Sequence, residues 1–202
     1  MLLRTAKYFR PAFRGLGARS FANRHKVVTT EDAIAVVKSG DTFMCSGFVA
    51  QGVPEHLLRA LGEKFEETGE PRDLTLFFAG GPGDWDKRGL NHLGKEGMIK
   101  RTIGTHYGQT PKIADLVLQN KVQAYNIPLG CQSRILRCTA SRLPGYLTEI
   151  GKGTFVDPDL GGGKLNELAE DWDIVTKVPI EGKDYLFYKK VPLDVCFIRH
   201  NS

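Results

Sequence analysis

The sequence predicts an α/β fold: an open, mainly parallel β-sheet with helices on both faces, Rossmann-like in character, followed by a small β-rich C-terminal part. From about residue 27, short apolar runs alternate with segments of helical periodicity, the pattern of a parallel sheet joined by crossover helices. Glycine-rich loops follow several runs, where such sheets bind ligands at the carboxyl ends of their strands. The 202 residues are 41% hydrophobic and 25% charged, a balance that supports a buried core and excludes intrinsic disorder.

The first half contains five predicted elements. Thr29 or Thr30 can cap a helix that runs to Val37, and a turn at Gly40 and Asp41 leads into a strand over 42–45. Pro54 suits the first turn of a helix that runs to about residue 61. The remaining two elements of this half are a buried strand over 74–78 and a short helix over 90–98, with a glycine-rich loop over 80–83 between them.

The second half changes character after Pro144. Before it, Thr110 and Pro111 begin a helix, and a strand over 122–127 precedes a helix over 132–140. After it come short segments interrupted by glycine. Further predicted elements are a strand over 174–180, a turn over 181–184, an aromatic run over 185–188 and a last strand over 193–198, which together indicate a hairpin plus one strand. No repeat or linker divides the chain, so one domain over residues 22–202 is the simplest count.

The formal net charge of +5 comes from the amino end, where the first acidic residue is Glu31. Apolar and basic residues recur there at helical spacing on different faces, which is typical of a mitochondrial presequence. The sequence Arg19-Ser20-Phe21 resembles a matrix-peptidase site, so residues 1–21 are predicted to be the presequence. Without them, basic and acidic residues are equal in number. We therefore expect a protein of the mitochondrial matrix, or facing it, that does not bind nucleic acid. The alternative is a basic arm that stays on the protein and binds RNA or anionic lipid.

Other function classes receive little support. No apolar run reaches the roughly 18 residues of a membrane span, so the chain is expected not to be transmembrane. The four cysteines, Cys45, Cys131, Cys138 and Cys196, form no Cys-x-x-Cys pair, and they are expected to be free, mostly buried thiols with no metal site. The sequence also lacks a P-loop and a dinucleotide-binding fingerprint.

The segment 46–55 is the most informative candidate site. A strand ends in it, Gly47 and Gly52 let the backbone approach a ligand closely, and Pro54 begins a helix whose amides point back at the loop. Such a loop can hold the oxygen of a carboxylate or a thioester. An ordinary turn between a strand and a helix explains the spacing equally well.

The sequence GFVAQGVPE at 47–55 resembles the Gly-Phe-x-x-x-Gly-x-Pro loop of class I coenzyme A (CoA) transferases. Further resembling segments follow in order: RGLNHL at 88–93, EG at 96–97, KR at 100–101, YNIPLG at 125–130, GKGTFVDP at 151–158, GGKLN at 162–166 and DVCFIR at 194–199. The series is similar to the amino-terminal (α) half of the fused acetate/propionate-type enzymes and covers residues 26–199.

This resemblance implies a ping-pong exchange of CoA between an acyl-CoA and a short-chain carboxylate, with the CoA thioester as substrate and no covalently bound cofactor. A glutamate attacks the thioester, and hydrogen-bond donors stabilise the oxyanion. The resemblance assigns the substrate and oxyanion loop to these positions: Gly47, Phe48, Val49, Gln51, Gly52, Pro54, Asn126 and Gly130.

Two departures from the family pattern shape the functional expectation. The catalytic glutamate belongs to the carboxy-terminal half of the family, beyond the segments matched here, so no catalytic residue is assigned in this chain. The family's Pro-Gln-Gly is replaced by Pro128-Leu129-Gly130, and a leucine cannot donate to an oxyanion. Gln132 lies nearby but needs a displacement to substitute, and Glu149 is not a replacement nucleophile.

We therefore expect an α half that is inactive alone and works with a β-type half. The alternative is a catalytically dead transferase domain that serves as a structural subunit of a large mitochondrial assembly. A third reading is a longer gene product in which the second half follows.

Overall fold

The computed structural model describes residues 26–200. The predicted presequence, residues 1–21, lies outside the described residues. The helices are α1 (Thr30–Ile34), α2 (Glu55–Thr68), α3 (Pro111–Leu118) and α4 (Leu129–Ala140). The strands are β1 (Thr42–Cys45), β2 (Leu74–Phe78), β3 (Ile99–Gly104), β4 (Gln123–Asn126), β5 (Gly145–Thr148), β6 (Val175–Ile180), β7 (Lys183–Lys189) and β8 (Val195–Phe197). Single turns of 3-10 helix occupy Leu90–Leu93, Pro158–Leu160 and Glu167–Asp171.

Five strands form one parallel sheet in the order β4-β3-β2-β1-β8. The last strand of the chain closes one edge, since Phe43 of β1 pairs with Val195 of β8 on one side and with Leu76 of β2 on the other. The remaining strands form a separate antiparallel sheet in the order β5-β7-β6. The predicted fold class, a mainly parallel sheet with a small β-rich C-terminal part, is confirmed.

Side chains alternate between two buried layers along the central strands, as the period of two in a β-strand requires. Leu76 and Phe78 of β2 face one layer, whereas Phe77 between them faces the other. The same alternation separates Ala124 from Tyr125 on β4. Both faces of the parallel sheet are therefore covered.

Helices α1, α2 and α3 cover the first face. On α2, Leu58, Leu61 and Phe65 are buried at helical spacing against this face. The helix ends at Gly69, whose φ of 72° is left-handed and whose amide donates to the carbonyl of Phe65 at 2.8 Å. On the second face, α4 and the antiparallel sheet pack together, and Tyr188 of β7 is fully buried there.

Several predicted elements differ from the observed ones. The predicted helix over 90–98 is only the 3-10 turn Leu90–Leu93, because the backbone leaves helical geometry at Gly94, where ψ is 62°. The strand β3 that follows was not predicted, nor was β5. Helix α1 ends at Ile34, earlier than predicted, α2 extends to Thr68 and α4 begins at Leu129.

The described helices include none that is long and apolar enough to cross a membrane. The cysteines are free thiols, and Cys45, Cys131 and Cys138 are buried whereas Cys196 is exposed. Burial raises the pKa of the Cys45 thiol well above its usual range, so this thiol stays protonated and acts as part of the core.

Candidate functional site

The loops that follow β1, β2, β3 and β4 converge on one cleft of about 630 Å³ at the carboxyl edge of the parallel sheet. The segment over 150–156, which follows β5, forms the opposite wall. Ligands of open α/β sheets bind at this edge, because the loops there come from neighbouring strands. The cleft is therefore the candidate site of this protein.

The loop after β1 contributes Phe48 to the cleft through a tight turn. Backbone hydrogen bonds of 3.0 Å join Phe48 and Gln51 in both directions, with Val49 at a left-handed φ of 55°. The carbonyl of Val49 accepts the amide of Gly83 at 3.0 Å, which fixes the turn against the loop after β2. Gly47 is required beneath the turn, since a Cβ there would lie 2.6 Å from Cγ2 of Val53.

The ring of Phe48 rests on Gly80 in the loop after β2. A Cβ on Gly80 would lie 2.5 Å from Cδ2 of Phe48, and the residue has a left-handed φ of 67°. Glycine at position 80 thus gives the ring its place in the wall of the cleft.

Neutral polar groups reach the cleft from the loops after β3 and β4. The hydroxyl oxygen of Thr105 accepts the amide of Gly80 at 2.9 Å, so its own hydrogen stays available to another acceptor. The side-chain amide of Asn126 donates to the carbonyl of Thr105 at 3.4 Å. The backbone amide of Asn126 donates to the carbonyl of Gly163 at 2.7 Å, which anchors the end of β4.

Gln109 is a lining residue that sequence reasoning missed. It is only 9% exposed, and its Oε1 atom has no hydrogen-bond partner among the described residues. Glycine at position 81 makes room for it, because a Cβ there would lie 2.3 Å from that oxygen. The sequence signal that could have identified Gln109 is its position directly before the helix start at Thr110 and Pro111. The strand that precedes its loop was not predicted.

The far wall is held in place by Asp157. Its carboxylate accepts the amide of Gly153 at 3.0 Å and pairs with Lys177 at 3.0 Å, and its side chain is buried. The hydrogen bond from Gly153, followed by that from Lys177, lowers the pKa of Asp157 below its usual range. Asp157 therefore stays ionised and shapes the glycine-rich segment that precedes it.

The predicted site residues divide between the cleft and its surroundings. Phe48 and Asn126 line the cleft, and Val49 and Gln51 lie at the tip of the turn that presents Phe48. Gly47 and Gly52 shape that turn, and Gly130 is exposed beside the lining residue Leu129. Pro54 is buried and faces a different hollow, lined also by Arg199 and His200.

Comparison with known proteins decides the family. A model of the family described as Coenzyme A transferase matches residues 27–202. The chain belongs to the coenzyme A transferase family. It is 39% identical over 178 residues to Acetate CoA-transferase YdiF of Escherichia coli O157:H7, a match that covers 87% of this chain and 33% of the relative. It is 36% identical to Caffeate CoA-transferase of Acetobacterium woodii, with 86% of this chain and 33% of the relative covered.

A two-subunit relative matches over more of its own length. The chain is 27% identical to the alpha subunit of Acetate CoA-transferase from Escherichia coli K12, with 86% of this chain and 69% of the relative covered. Among solved structures, YdiF in a thioester complex with CoA has a TM-score of 0.81 at 37% identity, with 85% of this chain and 33% of that chain covered. The chain thus spans about a third of the length of YdiF and corresponds to an α-type half of a CoA-transferase.

Among the residues that the structure describes, no acidic side chain lines the cleft. Glu149 lies next to the far wall, but its carboxylate is 2.9 Å from Nζ of Lys183 and 3.8 Å from that of Lys152. The hydrogen bond from Lys183 lowers the pKa of Glu149, so the carboxylate is engaged in ion pairs away from the cleft.

Leu129, the first residue of α4, places an exposed apolar side chain on the cleft where the family motif has glutamine. Gln132 does not compensate, since it is buried and its Nε2 atom donates to the carbonyl of Ile103 at 3.1 Å. The cleft of this family member therefore has an apolar group at the position of a family hydrogen-bond donor.

Proposed function

We propose that residues 26–200 form the α-type half of a CoA-transferase that exchanges CoA only when a β-type half supplies the nucleophilic carboxylate. One observation carries the proposal: the cleft at the carboxyl edge of the sheet has neutral polar groups and apolar walls, but no acidic side chain among its described lining residues. A carboxylate from outside this part of the chain is therefore needed for nucleophilic catalysis.

The reaction divides between the two halves. A carboxylate of the β-type half attacks the thioester carbonyl, the C–S bond breaks and CoA leaves as a thiolate, so an acyl anhydride remains on that carboxylate. The thiolate then attacks the anhydride at the enzyme's carbonyl, releasing the first acid and leaving CoA as an enzyme thioester. The second acid reverses both steps.

In this scheme the present chain positions the acyl group and excludes water. Phe48, Thr105 and Asn126 face the cleft from three different strand ends. The hydroxyl of Thr105, whose oxygen already accepts an amide, can donate to the carboxylate or thioester oxygen of the substrate.

Two relatives that consist of separate chains support a β-type partner. They are the alpha subunit of Acetate CoA-transferase and one chain of the probable succinyl-CoA:3-ketoacid coenzyme A transferase of Bacillus subtilis. The relatives of the YdiF type support the alternative arrangement, in which both halves belong to one polypeptide.

Exchange between acetyl-CoA and an acceptor carboxylate tests the proposal. The purified chain alone is expected to show no exchange, and addition of a β-type subunit from a two-subunit relative is expected to produce it. The control is the same β-type subunit with its nucleophilic glutamate changed to glutamine, which should bind without exchange. Turnover by the isolated chain, or a stable complex with the intact β-type subunit that stays inactive, contradicts the proposal.

A second function, that of a catalytically inactive structural subunit in a large mitochondrial assembly, is favoured by Leu129 alone. Its apolar side chain at the position of the family glutamine removes a donor from the cleft. Native mass spectrometry of mitochondrial extracts distinguishes the two functions, because migration with a megadalton complex and without a β-type subunit supports only the structural role.

The mitochondrial location is part of the same proposal. It rests on the basic, acid-free sequence before Glu31. A fluorescent fusion of residues 1–26 is expected to enter mitochondria, and the same fusion with Arg10 and Arg14 changed to glutamate is expected to remain in the cytosol.

A further inference from the structure

We propose that the cleft selects carboxylates with an extended apolar body and a single charge, such as hexanoate, over acetate and over dicarboxylates. This inference rests on the proposed transferase function, because it names the acyl groups that the same site accepts. It assigns Leu129 as a specificity-determining residue.

The first argument is the apolar wall. Phe48 is 65% exposed, and three further large apolar side chains of the cleft are about half exposed: Leu129 at 54%, Ile150 at 52% and Phe155 at 51%. Single exposed apolar residues are common on protein surfaces, but several that converge on one hollow indicate a binding site. An acyl chain in the cleft would remove this surface from water.

The second argument is size. The cleft of about 630 Å³ lies within the range of roughly 300–1,000 Å³ for small-molecule sites. A water molecule occupies about 30 Å³ in the liquid, and an acetate ion is only a few times larger. The volume of the cleft therefore exceeds that of an acetate ion several-fold. Acetate leaves most of the apolar wall hydrated, whereas a six-carbon chain covers part of it.

The third argument is charge. The polar groups that reach the cleft from Thr105, Gln109 and Asn126 are neutral, and the described lining residues include no lysine, arginine, aspartate or glutamate; their one titratable side chain is His106, on the loop after β3. One carboxylate can be held by neutral donors, as at many enzyme sites. A second carboxylate at the far end of the ligand would lose water against Leu129 or Phe155, and the segments that carry these two residues contribute no lysine, arginine or histidine to the lining.

Leu129 is the residue that we expect to make this cleft prefer apolar acids over small polar ones. As the first residue of α4 it projects from the helix start, and a Cβ on its neighbour Gly130 would meet no atom within 4 Å. The Leu129 side chain is itself 54% exposed, so a substitution at 129 changes the ligand surface with little effect on packing.

Binding to the full chain tests the inference directly. The probes are acetate, butyrate, hexanoate and adipate at equal ionic strength, and the readout is methyl NMR of the isoleucine and leucine residues, including Ile150 and Leu129. Full burial of one methylene group corresponds to about fourfold tighter binding. Because the open wall covers only one side of the acyl chain, we expect about twofold tighter binding for each methylene added. Adipate, matched to hexanoate in carbon number, is expected to bind at least tenfold more weakly.

Leu129→Gln and Leu118→Gln form the matched pair of variants. Leu118 is 85% exposed at the end of α3 and does not line the cleft. Leu129→Gln is expected to weaken hexanoate binding about threefold, and Leu118→Gln to leave it unchanged, with thermal unfolding showing that both variants fold. Equal affinities for hexanoate and adipate, the absence of saturable hexanoate binding, or equal effects of the two substitutions overturns the inference.

Exchange assays with a β-type half separate this inference from the proposed function. Exchange that proceeds with a preference for acetate or succinate overturns the selectivity and leaves the transferase function intact. Selective hexanoate binding without exchange in a complex that contains the intact nucleophile supports the selectivity and contradicts the transferase function.

Discussion

Glu55 accepts hydrogen bonds from two groups at the 3-10 turn Leu90–Leu93, which lies between β2 and β3. Its Oε1 atom lies 2.8 Å from Nε2 of His92, and its Oε2 atom accepts the amide of Gly89 at 2.8 Å. Because a carboxylate is only an acceptor, His92 carries a proton on Nε2. The start of α2, and with it the loop that presents Phe48, is therefore tied to the RGLNH segment.

Replacement of this carboxylate should loosen that connection. Glu55→Ala removes both hydrogen bonds at a half-exposed position, so we expect the free energy of unfolding to fall by about 1 kcal/mol. Urea denaturation followed by circular dichroism measures the change. Glu63→Ala is the control on the same helix, because Glu63 only pairs with Arg59 at 3.8 Å on the surface, and its loss should be within about 0.5 kcal/mol. Equal effects of the two substitutions would contradict the bridging role of Glu55.

Gly80→Ala tests the placement of Phe48. The new Cβ needs the space of the ring, and the left-handed φ adds backbone strain of about 1 kcal/mol. Gly182→Ala introduces a similar strain at a φ of 76° with no atom within 4 Å of its Cβ. We expect both variants to lose comparable stability in thermal unfolding, and only Gly80→Ala to reduce ligand binding in the cleft. Unchanged binding in Gly80→Ala would show that the Phe48 ring is not part of the wall.

The acid stability of the protein should depend on Asp157. The folded state lowers the pKa of this carboxyl, so the unfolded chain binds the proton more readily and stability falls as the pH drops. The contribution is present above about pH 4, the usual aspartate value, and is lost as the pH falls toward the lower folded-state pKa. Asp157→Asn should be less stable than the wild type at pH 7, with a smaller difference at pH 3. Urea denaturation midpoints across this pH range measure the difference in stability. Asp86→Asn is the control, because Asp86 pairs with Lys87 on the exposed surface. A difference independent of pH would refute the ionised state of Asp157.

The parts of the fold that sequence patterns predicted are those with unbroken apolar runs. Strand β2 is correct to the residue because its side chains are buried on both faces. Strand β3 was missed because Lys100 and Arg101 interrupt the run. Arg101 is nevertheless accommodated, since its guanidinium stacks 4.7 Å from the centre of the Trp172 ring and its Nε donates to Gln123. Tertiary contacts of this kind cannot be inferred from local sequence.

The candidate site was predicted only where one loop carries the motif. Phe48 and Asn126 were found because glycines and a strand end mark their segments. Gln109, Ile150 and Phe155 were missed, since they belong to segments far apart in the chain and meet only through the order of the strands. The apolar character of the cleft is thus a property of the fold rather than of any motif.

Gln109 and Gln132 provide the last prediction, because both carry a buried Oε1 atom without a partner among the described residues. An unpartnered buried acceptor costs about 1–3 kcal/mol, and methionine has a similar length without the polar atoms. Gln109→Met should therefore raise the free energy of unfolding by about 1 kcal/mol. Gln132→Met should be close to neutral, because it also removes the hydrogen bond from Nε2 to the carbonyl of Ile103.

The same pair separates function from stability. Gln109 lines the cleft and Gln132 does not, so only Gln109→Met should weaken hexanoate binding while the protein becomes more stable. The carboxylate of hexanoate can accept only from the amide Nε2 of Gln109, whereas the gain in stability comes from removal of the buried Oε1 acceptor. Chemical denaturation and methyl NMR titration of the two variants measure both quantities. If Gln109→Met lowers stability, or leaves hexanoate affinity unchanged, the glutamine amide serves the fold and not the ligand.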